Sequence, residues 1–437
     1  MADIMDSPDS SDLLSVCWAD SSTHRRWLLA EGQRLLEHYA KARVPSGFAT
    51  LGHDGSMVDD TAKSIITARM VHCYALAALM GVPGAATLAD HGLDALLDGP
   101  LRDSVHGGWF SDASSTHENP SRKNAYLHAF VALAGASASI AGRPRGSELM
   151  QAAINIIDEH FWLEDEQSML PSFAADWSDP EDYRGANCNM HTTEACLALV
   201  DATGETRWLD RALHLAKRFG HHMPSNYDGR LPEHFDSGWN LLPDYDANEP
   251  SDDLRPWGLT PGHFAEWAGL LLKVESACIA HGYDVPDWLL PDAIALFDSA
   301  IERGWAPDGQ SGMVYTIGWD DEISIPNRPY WVQAEMANTA LMLSRRTDDP
   351  RFEHYYRLAW DYIASTLIDL EHGGWRHEVD AYGNLSTVVY PTREDLYHDF
   401  QATVTPLIPI SASVAGGLLT QMLETKTQSL CRIYSII

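Results

Sequence analysis

His263 and Glu266 stand three apart in the segment TPGHFAEW, and His398 opens the segment HDFQA. Residues three apart on a helix share a face, so His263 and Glu266 project together from the first turn after Thr260 and Pro261. A carboxylate beside an imidazole fixes its tautomer and raises its basicity. Two neutral histidines on one cavity would suit proton transfer near pH 7. Other polar groups gather at what read as helix starts: Arg69 and His72; Lys123, Asn124, Tyr126 and His128; Asn187, Asn189, His191 and Glu194. Trp331, Gln333 and Glu335 form a further group, and Asp399 and Gln401 accompany His398. Any one of these is most simply a cap or a packing residue. Six polar starts converging on one mouth are costly to bury unless a polar ligand fills the space.

Other chemistries find little support. The chain has no G-x-S-x-G and no Gly-rich phosphate loop. Its cysteines (Cys17, Cys73, Cys188, Cys196, Cys278, Cys431) are dispersed, with no CxxC pair. The His-x-x-Glu step occurs once with no second copy facing it, so no metal site is expected.

The elements that must position these groups follow from a repeat. A small residue, a large apolar residue and an Asp a few places on recur, with the large residue at 48, 109, 170, 231, 313 and 375. The intervals are 61, 61, 61, 82 and 62. Between the phrases lie paired stretches of helical periodicity: 62–80 with 85–97, 124–141 with 147–160, 191–203 with 207–219, 262–281 with 291–303, and 333–344 with 351–368. Flanking helices at 26–42 and 398–423 complete twelve. The pattern predicts an all-α fold, a closed (α/α)6 barrel of six helical hairpins with short strands in the connecting loops, an open helical repeat being the alternative. The domain would span 23–424, with an N-terminal extension at 1–22 and a C-terminal tail at 425–437. The long interval adds about 20 residues between Asp236 and Leu259, read as a lid or wall at the barrel mouth.

Composition bounds the partners. The 437 residues carry 30 Lys+Arg against 62 Asp+Glu, a formal charge of −32. Such a surface argues against nucleic acid and anionic membranes, and only six basic residues are Lys. No apolar run approaches the ~20 residues of a membrane-spanning helix. An acidic N-terminus unlike a signal peptide leads us to expect a reduced, cytoplasmic protein. A homo-oligomer is compatible with the sequence but is not readable from it.

The segments HGGWFSD, NCNMHTTEA, RPWGLTPGHFAEWAGLLL, YWVQAEMANTALML and DLYHDFQATVTPLIP resemble the N-acylglucosamine 2-epimerase superfamily. They do so in the expected order from about residue 24 to 420. Among its branches they look most like the D-mannose isomerases and sulfoquinovose isomerases. The resemblance implies metal-independent, cofactor-free aldose–ketose isomerisation of a monosaccharide through a cis-enediol. By match of motif, His263 and His398 are the catalytic pair. His398 would move the proton between C2 and C1, His263 would assist ring opening, and Glu266 would orient His263. Arg69, Asn187, His191 and Trp331 match sugar-binding positions, Arg69 being the candidate for stabilising enediolate oxygens. Tyr126, Arg255, Trp319 and His377 are further cavity positions implied by the resemblance. The leading substrates are D-mannose and D-fructose, with D-lyxose and D-xylulose next. A sulfoquinovose isomerase would need cations such as Arg255 or Arg328, and a sugar 2-epimerase would need a proton delivered to the opposite face of C2. From another class, an inverting glycoside hydrolase would need two opposed carboxylates roughly 6.5–9.5 Å apart, for which Glu233, Asp236 and Glu335 are available. A non-catalytic sugar-binding protein would have no need of two facing histidines.

Overall fold

The computed structural model describes residues 17–434, with side chains to residue 424. After α1 (Ser22–Tyr39) the helices alternate. The inner ones are α2 (Ser64–Leu79), α4 (Ala125–Ile140), α6 (Ala186–Thr203), α9 (Pro261–His281), α11 (Tyr330–Thr347) and α13 (Tyr397–Val404). Each packs on the next, and α13 packs back on α2, so the six form a ring. The outer partners are α3 (Ala85–Asp98), α5 (Gly146–Ile156), α7 (Arg207–Leu215), α10 (Leu289–Gly304) and α12 (Pro350–Tyr362), with α1 paired to α13. The architecture is the (α/α)6 fold. A short α8 (Met223–Asn226) follows α7.

Burial explains the alternation. Inner helices such as α4 bury nearly every residue from Ala125 to Ala138, so they can sit only between other helices. Outer helices keep one apolar stripe; in α5 it is Leu149, Met150, Ala153, Ile154 and Ile156. The repeat phrase serves the loops at one end of the barrel. Its large residues Phe48, Trp109, Leu231, Met313 and Trp375 are wholly buried. Its aspartates, Asp54, Asp112, Asp176, Asp236, Asp320 and Asp380, each accept a backbone N–H two residues on, closing a turn. They are turn residues and not site residues.

Two-residue strands lace these loops in a circle. Lys63 bridges Asp112, Asn124 pairs with Ser172, and Gly185 with His234. Leu259 then bridges Ile317, Pro329 pairs with Glu378, and Arg393 bridges back to Leu51. The lacing corrects one register. Met169, bridged to Trp162, occupies the place that Trp109, Met313 and Trp375 hold in their loops, so the third copy sits at 169 and not 170.

The end of the chain also differs from expectation. The 398–423 stretch is not one helix, because Pro406 and Pro409 lack N–H donors and stop α13; α14 (Val414–Tyr434) then packs against α2, α4 and α6. Its backbone runs through the boundary placed at 424. The first 16 residues of the expected N-terminal extension lie outside the described residues. Cys73, Cys188, Cys196 and Cys278 are buried and free, as small apolar side chains.

Four loops carry an ion pair that the sequence reading missed, linking a residue two to four places before an inner helix to an acid 18–24 places earlier: Lys123–Asp103, Arg184–Glu166, Arg328–Asp308 and Arg393–Asp369. Lys123 Nζ and Asp103 Oδ2 are 2.7 Å apart with both side chains fully buried, and the ammonium also donates to the carbonyls of Gly107 and Ala175. Removing one member of such a pair strands the other charge. Lys123→Met is expected to cost about 3 kcal/mol of stability, read as a lower urea midpoint. A midpoint equal to wild type would show that the pair does not hold the loop.

Candidate active site

The lacing places the starts of the inner helices around one cavity of about 510 Å³ at the barrel mouth. Helical spacing then selects which side chains face it. Asn187, His191 and Glu194 fall on one face of α6, and His263, Glu266 and Leu270 on one face of α9. Trp331 and Glu335 share a face of α11. The cavity wall includes Arg69, Tyr126, Asn187, His191, His263, Glu266, Trp331, His377 and His398, nine of the eleven site residues expected from sequence.

The two histidines are built alike. His263 Nδ1 lies 2.9 Å from Glu233 Oε1, and His398 Nδ1 lies 2.9 Å from Glu335 Oε1. An ionised carboxylate only accepts, so in each neutral ring Nδ1 carries the hydrogen and Nε2 keeps its lone pair. The Trp331 ring lies beside both imidazoles, with ring centres 5.1 Å from His263 and 5.8 Å from His398, and its Nε1 donates to the Tyr390 hydroxyl. A flat apolar indole beside two imidazoles can accept the apolar face of a ligand.

Glu266 does not orient His263. Among the described residues it makes no hydrogen bond and reaches only to within 3.8 Å of His191 Nδ1. Burial, together with the charges of Glu335 and Glu194, drives its carboxyl well above the usual range, which favours its protonated form. For Glu194 burial also opposes ionisation, but bonds from His191 and Tyr397 and the Lys273 charge outweigh it and hold that carboxyl low. Burial lowers His191 to about 4 and His377 well below its ordinary value, so both are neutral. His377 stacks on Tyr330, their rings 4.0 Å apart, and shares a hydrogen bond with the Tyr39 hydroxyl.

Arg69 is tightly held. Its guanidinium donates to Asp395 at 3.0 Å and to the Tyr126 hydroxyl at 2.6 Å, and it lies over the rings of Phe130 and Tyr397. Asn187 donates to the Leu254 carbonyl, which leaves its buried Oδ1 without a partner.

Two expected residues lie elsewhere. Arg255 lines the adjoining groove, fixed by Glu181 and the Tyr245 hydroxyl, with Asn187, Asp253 and Leu254 between it and the cavity. Trp319 is outside the cavity; its Nε1 and that of Trp257 both donate to the Pro243 carbonyl. They pin the 236–259 insertion, which is a wall: Asp253 and Leu254 face the cavity while Asp252 accepts from the Tyr315 hydroxyl.

Tyr330, Tyr390, Glu394 and the two histidine-bonded glutamates were not read as sugar-site residues from sequence. Glu394 is pushed up to about 7 by burial and by neighbouring Asp395. For Glu233 the repeat held a usable signal. Glu233, Tyr315 and His377 each follow the large residue of their phrase by two, and all three are buried. Among the described residues no group of three or more His, Cys, Asp or Glu is placed to hold a metal ion, and no helix is long and apolar enough to cross a membrane.

Comparisons with known proteins point to one family. The pattern of the family described as N-acylglucosamine 2-epimerase (GlcNAc 2-epimerase) matches residues 47–402. The chain is 46% identical over 402 residues to a D-mannose isomerase of Pseudomonas cannabina pv. alisalensis, covering 92% of this chain and 97% of that one. It is 45% identical over 413 residues to a D-mannose isomerase of Thermobifida fusca, covering 92% and 99%. A crystal structure of a D-mannose isomerase superposes with a TM-score of 0.79 at 28% identity, over 89% of this chain and 98% of the other.

Proposed function

The chain belongs to the N-acylglucosamine 2-epimerase family, and from that premise we propose that it interconverts D-mannose and D-fructose, with D-lyxose and D-xylulose as a second pair. The observation that carries this reading is the matched pair of imidazoles, each with its own glutamate, facing each other across Trp331 in one cavity. The likeness to D-mannose isomerases supports the choice of sugar.

In this reading His263 assists ring opening by proton transfer at the ring and anomeric oxygens. Nε2 of His398 then removes the C2 proton of the open-chain aldehyde. The C2–H electron pair becomes the C1=C2 double bond, and O1 takes a proton, giving the cis-enediol. The O2–H proton then leaves as C2=O forms, and the proton on His398 passes to C1. Glu335 stabilises the imidazolium between these steps. Arg69, together with the neutral carboxyl of Glu266, favours charge developing on the sugar oxygens. The unpaired Oδ1 of Asn187 accepts from a sugar hydroxyl.

The charges favour a neutral sugar over a sulfonated one. Arg69, Arg255 and Arg328 are already committed to Asp395, Glu181 and Asp308, while Asp253 and Glu394 add acid to the wall. The hydrolase reading loses its acids, since Glu233 and Glu335 hold histidines and Asp236 closes its own turn.

Mannose incubated with the enzyme in D2O, with EDTA present, is expected to give fructose by NMR, carrying deuterium at C1 to the extent that the base exchanges with solvent. Glucose as the main initial product would move the assignment to a 2-epimerase. No turnover of any free hexose would reopen the hydrolase.

A further inference from the structure

Below the sugar cavity, on the barrel axis, lies a second and smaller cavity, and Glu266 lines both. Its wall holds three carboxyl groups from three helices: Glu194 of α6, Glu266 of α9 and Glu335 of α11. Tyr397 and Gln401 of α13 and Asn338 of α11 line it as well, and so does one cation, Lys273. Lys273 is one of only six lysines in the chain. Its ammonium makes no hydrogen bond or ion pair among the described residues, unlike the buried Lys123.

Helical geometry explains the placement. Glu266, Leu270 and Lys273 occupy one face of α9, and seven residues at 1.5 Å each put the Lys273 backbone about 10 Å deeper than that of Glu266. Side chains on a helix lean toward its N-terminus, which is the end where the site lies. A long lysine at this position therefore reaches back toward the carboxyl cluster.

We infer that Lys273 is a positioning residue for the reaction: its charge, beneath Glu194, Glu266 and Glu335, keeps the carboxylates that hold His191 and His398 ionised. The inference rests on the isomerase reading. Glu194 and Glu335 bond their histidines as acceptors, and Glu266 stays protonated between them. With the cation gone, the three carboxyl groups would keep only the lesser effect of Arg69, which acts on Glu266 from the cavity above, and a second proton would settle there. A protonated Glu335 would donate to His398 Nδ1, moving the ring hydrogen to Nε2 and removing the lone pair that takes the C2 proton. The other titratable groups facing this space act in known directions. His72 of α2 is neutral, lowered to about 4 by burial. Burial raises Tyr397 of α13 well above its ordinary value. Arg345 of α11 faces the neighbouring cavity that Lys273 also lines, and donates to the carbonyls of Ile408 and Pro406.

The sign is fixed by the charge. Removing a nearby cation raises the pKa of a carboxyl and of an imidazole alike, so both effects move the acid limb of the kcat–pH profile upward. In Lys273→Met that limb is expected to move up by about one pH unit, making turnover of mannose roughly tenfold slower on the acid side while the alkaline plateau changes less. Lys273→Gln should behave as the Met variant, and Lys273→Arg should return the limb to its wild-type place. A merely structural lysine would change the melting temperature and leave the limb where it was. A Met profile that superimposes on wild type, or an Arg variant shifted as far as Met, overturns the inference; the Arg arm decides it if the Met variant does not fold. Wild-type protein that turns over no mannose would sink the isomerase reading itself, and this inference with it.

Discussion

Replacing His398 by alanine or asparagine is expected to lower mannose turnover by about 10³-fold, the scale of a positioned general base, with the fold retained. Its Nδ1 is committed to Glu335, so the ring is available to the sugar only through Nε2. The cavity's other groups are less suited to replace it at that carbon. His191 and His377 are neutral but bonded to Glu194 and Tyr39, and the protonated form of Glu266 is favoured. Alanine strands Glu335 in a buried site, so some stability will be lost. Asparagine can still donate an amide hydrogen toward that carboxylate and separates the chemical loss from the structural one. Exchange of the C2 proton into D2O should disappear together with net isomerisation. His263→Asn should behave differently: if it serves ring opening, isomerisation falls but exchange persists in the open-chain fraction of the sugar. Turnover close to wild type in either folded variant, or exchange surviving loss of His398, would end the two-histidine mechanism.

Much of this geometry was legible in the sequence because it repeats. A loop phrase returning at near-constant spacing, apart from one long interval, points to equal units, and equal helical pairs must stack or close. The inner-helix starts were therefore assignable to one mouth, and nine of eleven expected residues meet there. What failed was of another kind. Glu266 was matched to His263 because residues three apart on a helix are neighbours, yet the carboxylate that reaches the ring comes from the preceding loop, 30 residues earlier. Helical spacing counts neighbours along a helix and is silent about those across the ring. Glu335, 63 residues before His398, was beyond it for the same reason. Trp319 and Arg255 were placed in the cavity by resemblance alone. Their side chains instead fix the insertion and the groove beside it, which depends on how the 236–259 loop folds back, and no periodicity encodes that. The axial lysine was visible only as a count of six.

The two glutamates that a hydrolase would need as its acids provide the sharpest remaining test. Glu335→Gln and Glu233→Gln each keep an oxygen able to accept the Nδ1–H, so the ring orientation survives while the charge is lost. A neutral amide stabilises an imidazolium far less than a carboxylate does. Each substitution is expected to reduce kcat by about 10²-fold, within the range for removing one preorganised electrostatic partner, with KM changed much less because neither side chain lines the sugar cavity. The two should differ in what they slow. Loss of the Glu335 charge should depress exchange of the C2 proton in step with kcat, whereas loss of the Glu233 charge should spare that exchange relative to kcat. Asp236→Asn supplies the contrast. It lies three residues from Glu233 and was an equal candidate for hydrolytic acid, but its carboxylate caps only Gly238 and Asn240 of its own turn, so kcat should stay within about twofold of wild type. A hydrolase would give the opposite ranking, with two carboxylates essential to glycoside cleavage and the histidines dispensable. An unchanged kcat in both Gln variants would mean that the carboxylates only hold the rings in place, and that the imidazolium is stabilised from elsewhere in the cavity.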